Sequence, residues 1–353
     1  MDFIDLYAGI GGIRFAFETA SDENNCVFSS EWNKYSQITY NAFHGDVPFG
    51  NIHEIEDIDN QIPNHDLLTA GFPCQPFSLA GVSKKNSLGR LHGFDDPTQG
   101  TEFFKVKEIL RIKQPATFLL ENVKNLKSHD KGRTFETICE SLTQVGYTFE
   151  SRIIDAAHWV PQHRERIYII GFRNNLNITQ QQIGSLFPEL PEQRIYDLED
   201  IIISEDELRN VHGDRYTLGL GTWNALKRHK EHHKKKGNGF GFNMITKPFN
   251  NKITRTMSAR YHKDGAEILL EQEGDIPRRI TPLEACKLQG FPEKCYSFFN
   301  GEVEQPVSDS QIYKQFGNSV AVPVLNEIAA NITNFVEERQ LLQNVNNPIL
   351  NEV

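Results

Sequence analysis

An apolar run, Asp66-Leu67-Leu68-Thr69-Ala70, gives way at once to Gly71-Phe72-Pro73-Cys74-Gln75-Pro76-Phe77-Ser78. A short, uninterrupted apolar stretch closed by glycine and proline reads as a buried strand of a parallel sheet. This narrows the fold to an open α/β architecture, in which ligands bind outside the carboxyl ends of the strands. Cys74 stands just past such an end, held between two prolines, and is placed like a nucleophile. A lone cysteine is also commonly a buried structural thiol. The stretch alone leaves both readings open.

The same arrangement recurs along the chain. Phe3-Ile4-Asp5-Leu6-Tyr7-Ala8 reads as the first strand, followed by the turn Gly9-Ile10-Gly11-Gly12 and a helix from Ile13 to about Thr19. Strand, glycine turn and helix form a nucleotide-cofactor entrance, because glycine lets backbone approach a ligand closely. A tight turn is the plainer explanation, and the spacing is not the full dinucleotide pattern. Glu31 ends a second strand, Cys26–Ser30, where an acid can accept from ribose hydroxyls. Trp32 beside it can pack on an adenine ring. Together they suggest an adenosine-containing cofactor. Gly50-Asn51-Ile52 follows, leading into the acidic stretch Glu54 to Asp59. The Gly-, Ser- and Asp-rich residues 79–101 read as a mobile lid.

A helix over 102–113 leads to the strand Ala116–Leu120, and Glu121-Asn122-Val123 comes just after it. An acid there is either a solvated cap or a partly buried carboxyl with a raised pKa, suited to hold a proton. A helix over 133–145 and a strand near Thr148–Ile154 precede Gln162-His163-Arg164-Glu165-Arg166 and the strand Ile167–Phe172. Arg164 and Arg166 share one face of an extended chain and can clamp a phosphate or carboxylate. A surface ion pair with Glu165 is the alternative. Further on, Thr281, Pro282 and Glu284 mark the start of a helix with capping-box spacing. Phe316-Gly317-Asn318-Ser319-Val320 leads into a last long helix to about Leu342, and the Asn-rich tail from Gln343 reads as frayed.

Charge is distributed unevenly. The chain of 353 residues has a net charge of −10, which argues against nucleic-acid binding by the whole surface. Residues 209–280, however, hold 15 Lys and Arg against 7 Asp and Glu. A basic insert in an acidic body is a local footprint for a polyanion. Its densest run, Lys227 to Lys236, is most simply a solvated helix face. The glycine–aromatic loop Gly237–Phe242 and the stretch Thr254–Arg260 suit a nucleic-acid surface. The five cysteines make no zinc pattern and fit a reducing cytoplasm. Neither a signal peptide nor a membrane-spanning apolar run is legible.

In order along the chain, these pieces resemble the DNA (cytosine-5) methyltransferases. They are Asp5 to Gly12, Gly71 to Ser78, Glu121-Asn122-Val123, Gln162 with Arg164 and Arg166, Arg279-Ile280-Thr281-Pro282 with Gly290-Phe291-Pro292, and Gly317 to Val320. The resemblance implies a doubly wound, Rossmann-like α/β methyltransferase domain with a smaller target-recognition domain. Residues 1–195 and 301–353 would form the first and residues 196–300 the second. It implies S-adenosyl-L-methionine as cofactor, held by Tyr7, Gly9, Gly11, Gly12, Glu31, Trp32, Asn51, Ile52, Pro73, Asn318, Ser319 and Val320. Cys74 would attack C6 of cytosine, Glu121 would hold the N3 side of the ring, Arg166 would contact the base, and Arg164 would support the thiol or a phosphate.

Double-stranded DNA would be bound in the cleft, with Gln75, Ser78, Arg255, Thr256 and Arg260 as contacts. The enzyme would be a cytoplasmic monomer, with a cognate restriction endonuclease as a partner. The insert from Gly237 to Leu269 is similar to that of bacterial enzymes acting on CC-containing sites such as CCGG or CCWGG. The chain departs from the family pattern in having Tyr7 for Phe and Asn51 for Asp. An RNA methyltransferase of the same superfamily, or a DNA-binding protein that has lost catalysis, would share much of this pattern.

Overall fold

A computed structural model describes residues 1–73, 102–238 and 240–342. Cys74, Gln75, Ser78, the expected lid at 79–101 and the tail from Gln343 lie outside the described residues. The central sheet has six described strands: β1 (Asp2–Leu6), β2 (Asn25–Ser30), β3 (Leu67–Ala70), β4 (Thr117–Val123), β5 (Tyr147–Asp155) and β6 (Glu165–Arg173). Their order is β2-β1-β3-β4-β6-β5. β1 to β4 are parallel, and β6 runs antiparallel between β4 and β5. The chain moves from β1 to β2 on one side, then crosses to β3 on the other. Strand order therefore reverses at β1 and β3, and a crevice opens at their carboxyl ends.

The apolar runs explain the layers. All four residues of β3 are buried, as a central parallel strand requires. The helix Val322–Glu338 packs on the helix Gly12–Ala20. There Val324, Leu325, Ile328 and Ile332 share a core with Phe3, Ala16 and Phe17. The capping box read at Thr281 is present, with reciprocal bonds to Glu284. Two expectations shift. β4 runs on to Val123, because Glu121 and Asn122 pair with Tyr168 and Ile167 of β6. The last helix stops at Glu338, and Gln340 takes a left-handed φ of 50°.

The basic insert builds the helix Leu220–Lys235 and a small sheet of β7 (Met244–Ile245), β8 (Leu269–Leu270) and β9 (Arg278–Arg279). Trp223, Leu226, Phe242 and Leu269 form its own core. A larger core joins this lobe to the first: Phe15 and Phe43 pack with Phe291, Phe299 and Phe316. The Arg278–Glu284 ion pair, at 2.7 Å, is buried within the connection. Among the described residues, no helix is long and apolar enough to cross a membrane.

One core residue has a consequence for stability. Asp5, at the centre of β1, is fully buried, and burial pushes its carboxyl up to about 7 despite a hydrogen bond from Thr69. Its Oδ2 has no partner. Because the folded state holds this proton more tightly, stability from Asp5 is complete below the ordinary carboxyl range. It is lost as pH rises to about 7, by roughly 4 kcal/mol at most. Urea unfolding at about pH 5 and about pH 8 should show a smaller difference for Asp5→Asn than for the parent. Equal differences would show that Asp5 is ionised in the fold.

Candidate active site

A cleft of about 560 Å³ lies at the switch point. Tyr7 and Gly9 come from the end of β1, Glu31 and Trp32 from the end of β2, and Phe72 and Pro73 from the end of β3. Glu121 and Arg166 project from β4 and β6, and Asn318, Ser319 and Val320 close the wall opposite.

At one end sits Glu31, a buried carboxylate. The backbone N–H of Gly9 donates to its Oε2 at 2.9 Å, and that of Asn33 to its Oε1 at 2.7 Å. Burial raises its pKa, and these backbone donors oppose the rise. Each oxygen keeps a lone pair for a further donor such as a ribose hydroxyl. Trp32 beside it is 74% exposed, leaving the indole face available on the cleft wall. Gly9 adopts φ +59°, and no atom lies within 4 Å of where its Cβ would be. Backbone is therefore open to a ligand there. Tyr7 also takes a left-handed φ, 56°, and its hydroxyl donates to the Glu102 carbonyl at 3.0 Å.

The other glycines serve packing. A Cβ on Gly11 would lie 2.0 Å from Nε2 of the buried His44, and one on Gly12 would lie 2.6 Å from Val320. Gly12 still lines the cleft, whereas Gly11 does not. Two other expected cofactor residues are not among the described residues that line the cleft. Asn51 accepts from the His53 amide and caps a short helical turn, and Ile52 is buried in the core beneath the sheet. The cap engages the Asn51 Oδ1 alone and leaves its side-chain NH2 outside the turn.

At the other end, Glu121 and Arg166 form an ion pair with Nε to Oε1 at 2.9 Å. Glu121 faces Tyr168 across the antiparallel ladder, so Arg166 is its diagonal neighbour on the same face. Burial raises the Glu121 pKa, and Arg166 and Arg164 pull against the rise. Asn122, quoted in the motif without a role, donates to the Phe72 carbonyl at 2.7 Å and ties β4 to the turn before Cys74.

Arg164 is engaged with backbone carbonyls. It is buried, and its guanidinium donates to the carbonyls of Met257 at 3.1 Å and Gly317 at 3.0 Å, and also to that of Ser319. These carbonyls need donors inside the protein, and the guanidinium fork supplies them. Arg164 thus joins β6 to the insert and to the Gly317 stretch, and it does not line the cleft. The Glu165 alternative also fails, since Glu165 pairs with Lys124 instead.

Thr256 is tied to the same region. Its hydroxyl donates to the His163 carbonyl, so its one proton is already committed. Arg255 is exposed and donates to the Gly241 carbonyl at 3.0 Å, linking the glycine–aromatic loop to the Thr254–Arg260 stretch. Arg260 is exposed on that stretch. Five cleft residues escaped the sequence reading. Asn33 and Ser36 stand at the start of the helix after β2, and Gln311, Lys314 and Gln315 stand on the helix Asp309–Asn318. Their nearness to two recognised motifs was the available signal.

Sheet order, a cleft at the switch point and a carboxylate–guanidinium pair at its far end describe a doubly wound α/β fold of the kind that binds nucleotide ligands at that edge. The family model for C-5 cytosine-specific DNA methylase matches residues 1–334. The DNA-cytosine methyltransferase of Escherichia coli (strain K12) is 44% identical, over 93% of this chain and 76% of its own. Type II methyltransferase M.NlaX of Neisseria lactamica is 46% identical, over 92% and 94%. Type II methyltransferase M.HpaII of Haemophilus parainfluenzae is 41% identical, over 92% and 86%. In fold, the chain is similar to the crystal structure of S. pombe Dnmt2 methyltransferase, with TM-score 0.69 and 20% identity over 98% of this chain and 100% of that one. The chain belongs to the C-5 cytosine-specific DNA methylases and is a DNA (cytosine-5) methyltransferase.

Proposed function

We propose that this chain methylates C5 of a cytosine flipped out of a specific short duplex site, through a covalent bond between Cys74 and C6. One observation carries this reading: the Glu121–Arg166 pair and the Glu31–Gly9 corner open onto one cleft, beside the turn that leads to Cys74. S-adenosylmethionine fits the corner. Glu31 would take its ribose hydroxyls, Trp32 its adenine, and the open side of Gly9 would admit it closely. When bound, it supplies an electrophilic methyl group.

The protein's task is to make C5 nucleophilic, because the carbon is unreactive in aromatic cytosine. The Cys74 thiolate adds to C6, and the ring's electrons shift so that C5 becomes enamine-like. Glu121, held by Arg166, meets the N3 edge of the ring and steadies the charge that develops there. A buried carboxyl with a raised pKa is suited to offer a proton at that edge. After C5 has gained its methyl group, water takes the C5 proton, the C5=C6 double bond reforms as the C6–S bond breaks, Cys74 leaves as thiolate, and the N3 proton returns to Glu121. A base inside a duplex cannot reach such a pocket, so the cytosine must leave the stack.

Residues 196–300 would supply target choice, with the exposed Arg255 and Arg260 as candidate readers of guanine. We further propose a monomer acting in the cytoplasm beside a restriction endonuclease, whose cuts the methylation would prevent. Bisulfite sequencing of DNA from a host expressing the chain tests the reading. The expected result is 5-methylcytosine at one position of a fixed short sequence. Unmethylated host DNA, with methyl transfer to transfer RNA instead, would reject it.

A further inference from the structure

Lys314 lines the cleft and has no part in the scheme above. It stands on the helix Asp309–Asn318, where Gln311, Lys314, Gln315 and Asn318 share the face turned to the cleft at helical spacing. Gln315 anchors that face. Its side chain accepts from the Thr39 hydroxyl at 2.9 Å and donates to the Tyr35 carbonyl at 2.9 Å. Both partners belong to the helix Lys34–His44, which begins just after Glu31 and Trp32. Gln289 donates to the Phe316 carbonyl at 2.8 Å, and Arg164 to that of Gly317 at 3.0 Å. The backbone that carries Lys314 is thus fixed by contacts with three other parts of the chain.

Its charge is uncommitted. Glu31, Glu121, Arg166 and Lys314 are the charged groups on the described wall. Arg166 pairs with Glu121. Among the described residues, Lys314 has neither an ion-pair partner nor a hydrogen-bond partner. It is also partly buried. An ammonium drawn partly out of water without a partner favours an anion that arrives beside it.

The cofactor proposed above has one anionic group, the α-carboxylate of its amino-acid arm. Three arms meet at its sulfonium sulfur. The adenosyl arm goes to Glu31 and Trp32, and the methyl group must face the Glu121 end. The amino-acid arm is left the wall of Asn318 and Lys314. Much of the glycine turn's donor capacity is spent. The amides of Ala8, Gly9 and Gly11 already donate to the Ser30 carbonyl, the Glu31 carboxylate and the Ala8 carbonyl at 3.0, 2.9 and 2.8 Å. Glu31 and Glu121 repel a carboxylate at either end of the cleft, and Arg166 is occupied. The unpaired ammonium is the group best able to hold it, through a charge-assisted hydrogen bond.

We propose that Lys314 holds the α-carboxylate of S-adenosylmethionine, and so distinguishes the intact amino-acid arm from nucleosides that lack it. The proposal rests on the reading of the cleft as the site of that cofactor. The carboxylate takes no part in methyl transfer, so the contact is read in cofactor affinity and in selectivity among cofactor analogues.

The test uses the full chain and calorimetric titration with S-adenosylmethionine, with its decarboxylated form, and with 5′-methylthioadenosine, which lacks the whole arm. The parent should bind S-adenosylmethionine roughly ten- to a hundredfold more tightly than the decarboxylated form. Lys314→Gln keeps a polar side chain but no charge. It should lose most of that ratio while binding the decarboxylated form and 5′-methylthioadenosine no more weakly than the parent does. Lys314→Arg should restore most of the ratio. A ratio left unchanged by Lys314→Gln would overturn the proposal, and the salt dependence of DNA binding would then name the alternative. A slope smaller by about 0.9 would make Lys314 a phosphate contact, and an unchanged slope a solvated charge. Equal weakening for all three ligands would also overturn it, as the mark of a structural role. A parent that binds none of the three removes the reading of the cleft and the proposal with it. A parent that binds S-adenosylmethionine with a ratio indifferent to Lys314 removes the proposal alone.

Discussion

Duplex DNA carrying 5-fluorocytosine at the target position should become covalently attached to Cys74 and to no other cysteine. Fluorine cannot leave C5 as a proton leaves, so the adduct between the thiol and C6 has no way to collapse. The alternatives can be weighed one by one. Burial pushes the thiols of Cys26 and Cys295 up to about 12, raises that of Cys139, and raises that of Cys286 far above its ordinary value. None of these four lines the cleft. Thiolate, rather than thiol, is the nucleophile, so these environments suppress attack. Cys74→Ala should lower methyl transfer by roughly four orders of magnitude or more while leaving cofactor binding within a few-fold. Denaturing electrophoresis of the trapped complex, followed by peptide mapping, checks both statements. A trapped peptide containing Cys26, Cys139, Cys286 or Cys295 would sink the assignment.

The fold was legible wherever an apolar run ended in a special residue. β1 and β3 are short, buried and followed by a glycine-bearing turn, so their place and their functional end could be read together, whereas for β4 the place was legible and the end was not. The cofactor corner was legible for the same reason, since Glu31 and Gly9 each stand at a strand end. Long-range partners were not. Arg164 and Arg166 look alike in sequence, two residues apart on one face. Their different fates depend on carbonyls of Met257, Gly317 and Ser319, distant in the chain and brought near by folding. Asn51 shows that a motif position can also serve a local cap, since its side chain accepts from an amide two residues away. Gly11 carries a related ambiguity. Glycine next to a ligand and glycine next to a buried ring leave the same mark in sequence, and the structure places His44 there.

Glu121→Gln should lower the single-turnover rate of methyl transfer by about two to three orders of magnitude while DNA affinity changes only a few-fold. The substitution keeps size and keeps an oxygen for Arg166, but removes both the charge and the transferable proton. Glu121 is 8% exposed and is held against Arg166 at 2.9 Å, so its geometry is set before any base arrives. A group placed in advance where charge develops acts on the transition state more than on binding. The loss should therefore appear in kcat and in kcat/KM together. The pH profile gives a second reading. Burial raises the Glu121 pKa, so the carboxyl keeps its proton to higher pH than an exposed glutamate. If the protonated form serves the N3 edge, the parent rate should rise with pH as Cys74 ionises and then fall as Glu121 loses its proton. Glu121→Gln should keep the rise and lose the fall. A variant with an unchanged single-turnover rate would remove Glu121 from the chemistry. A variant that binds DNA far more weakly while reacting at the parent rate once saturated would make it a binding residue.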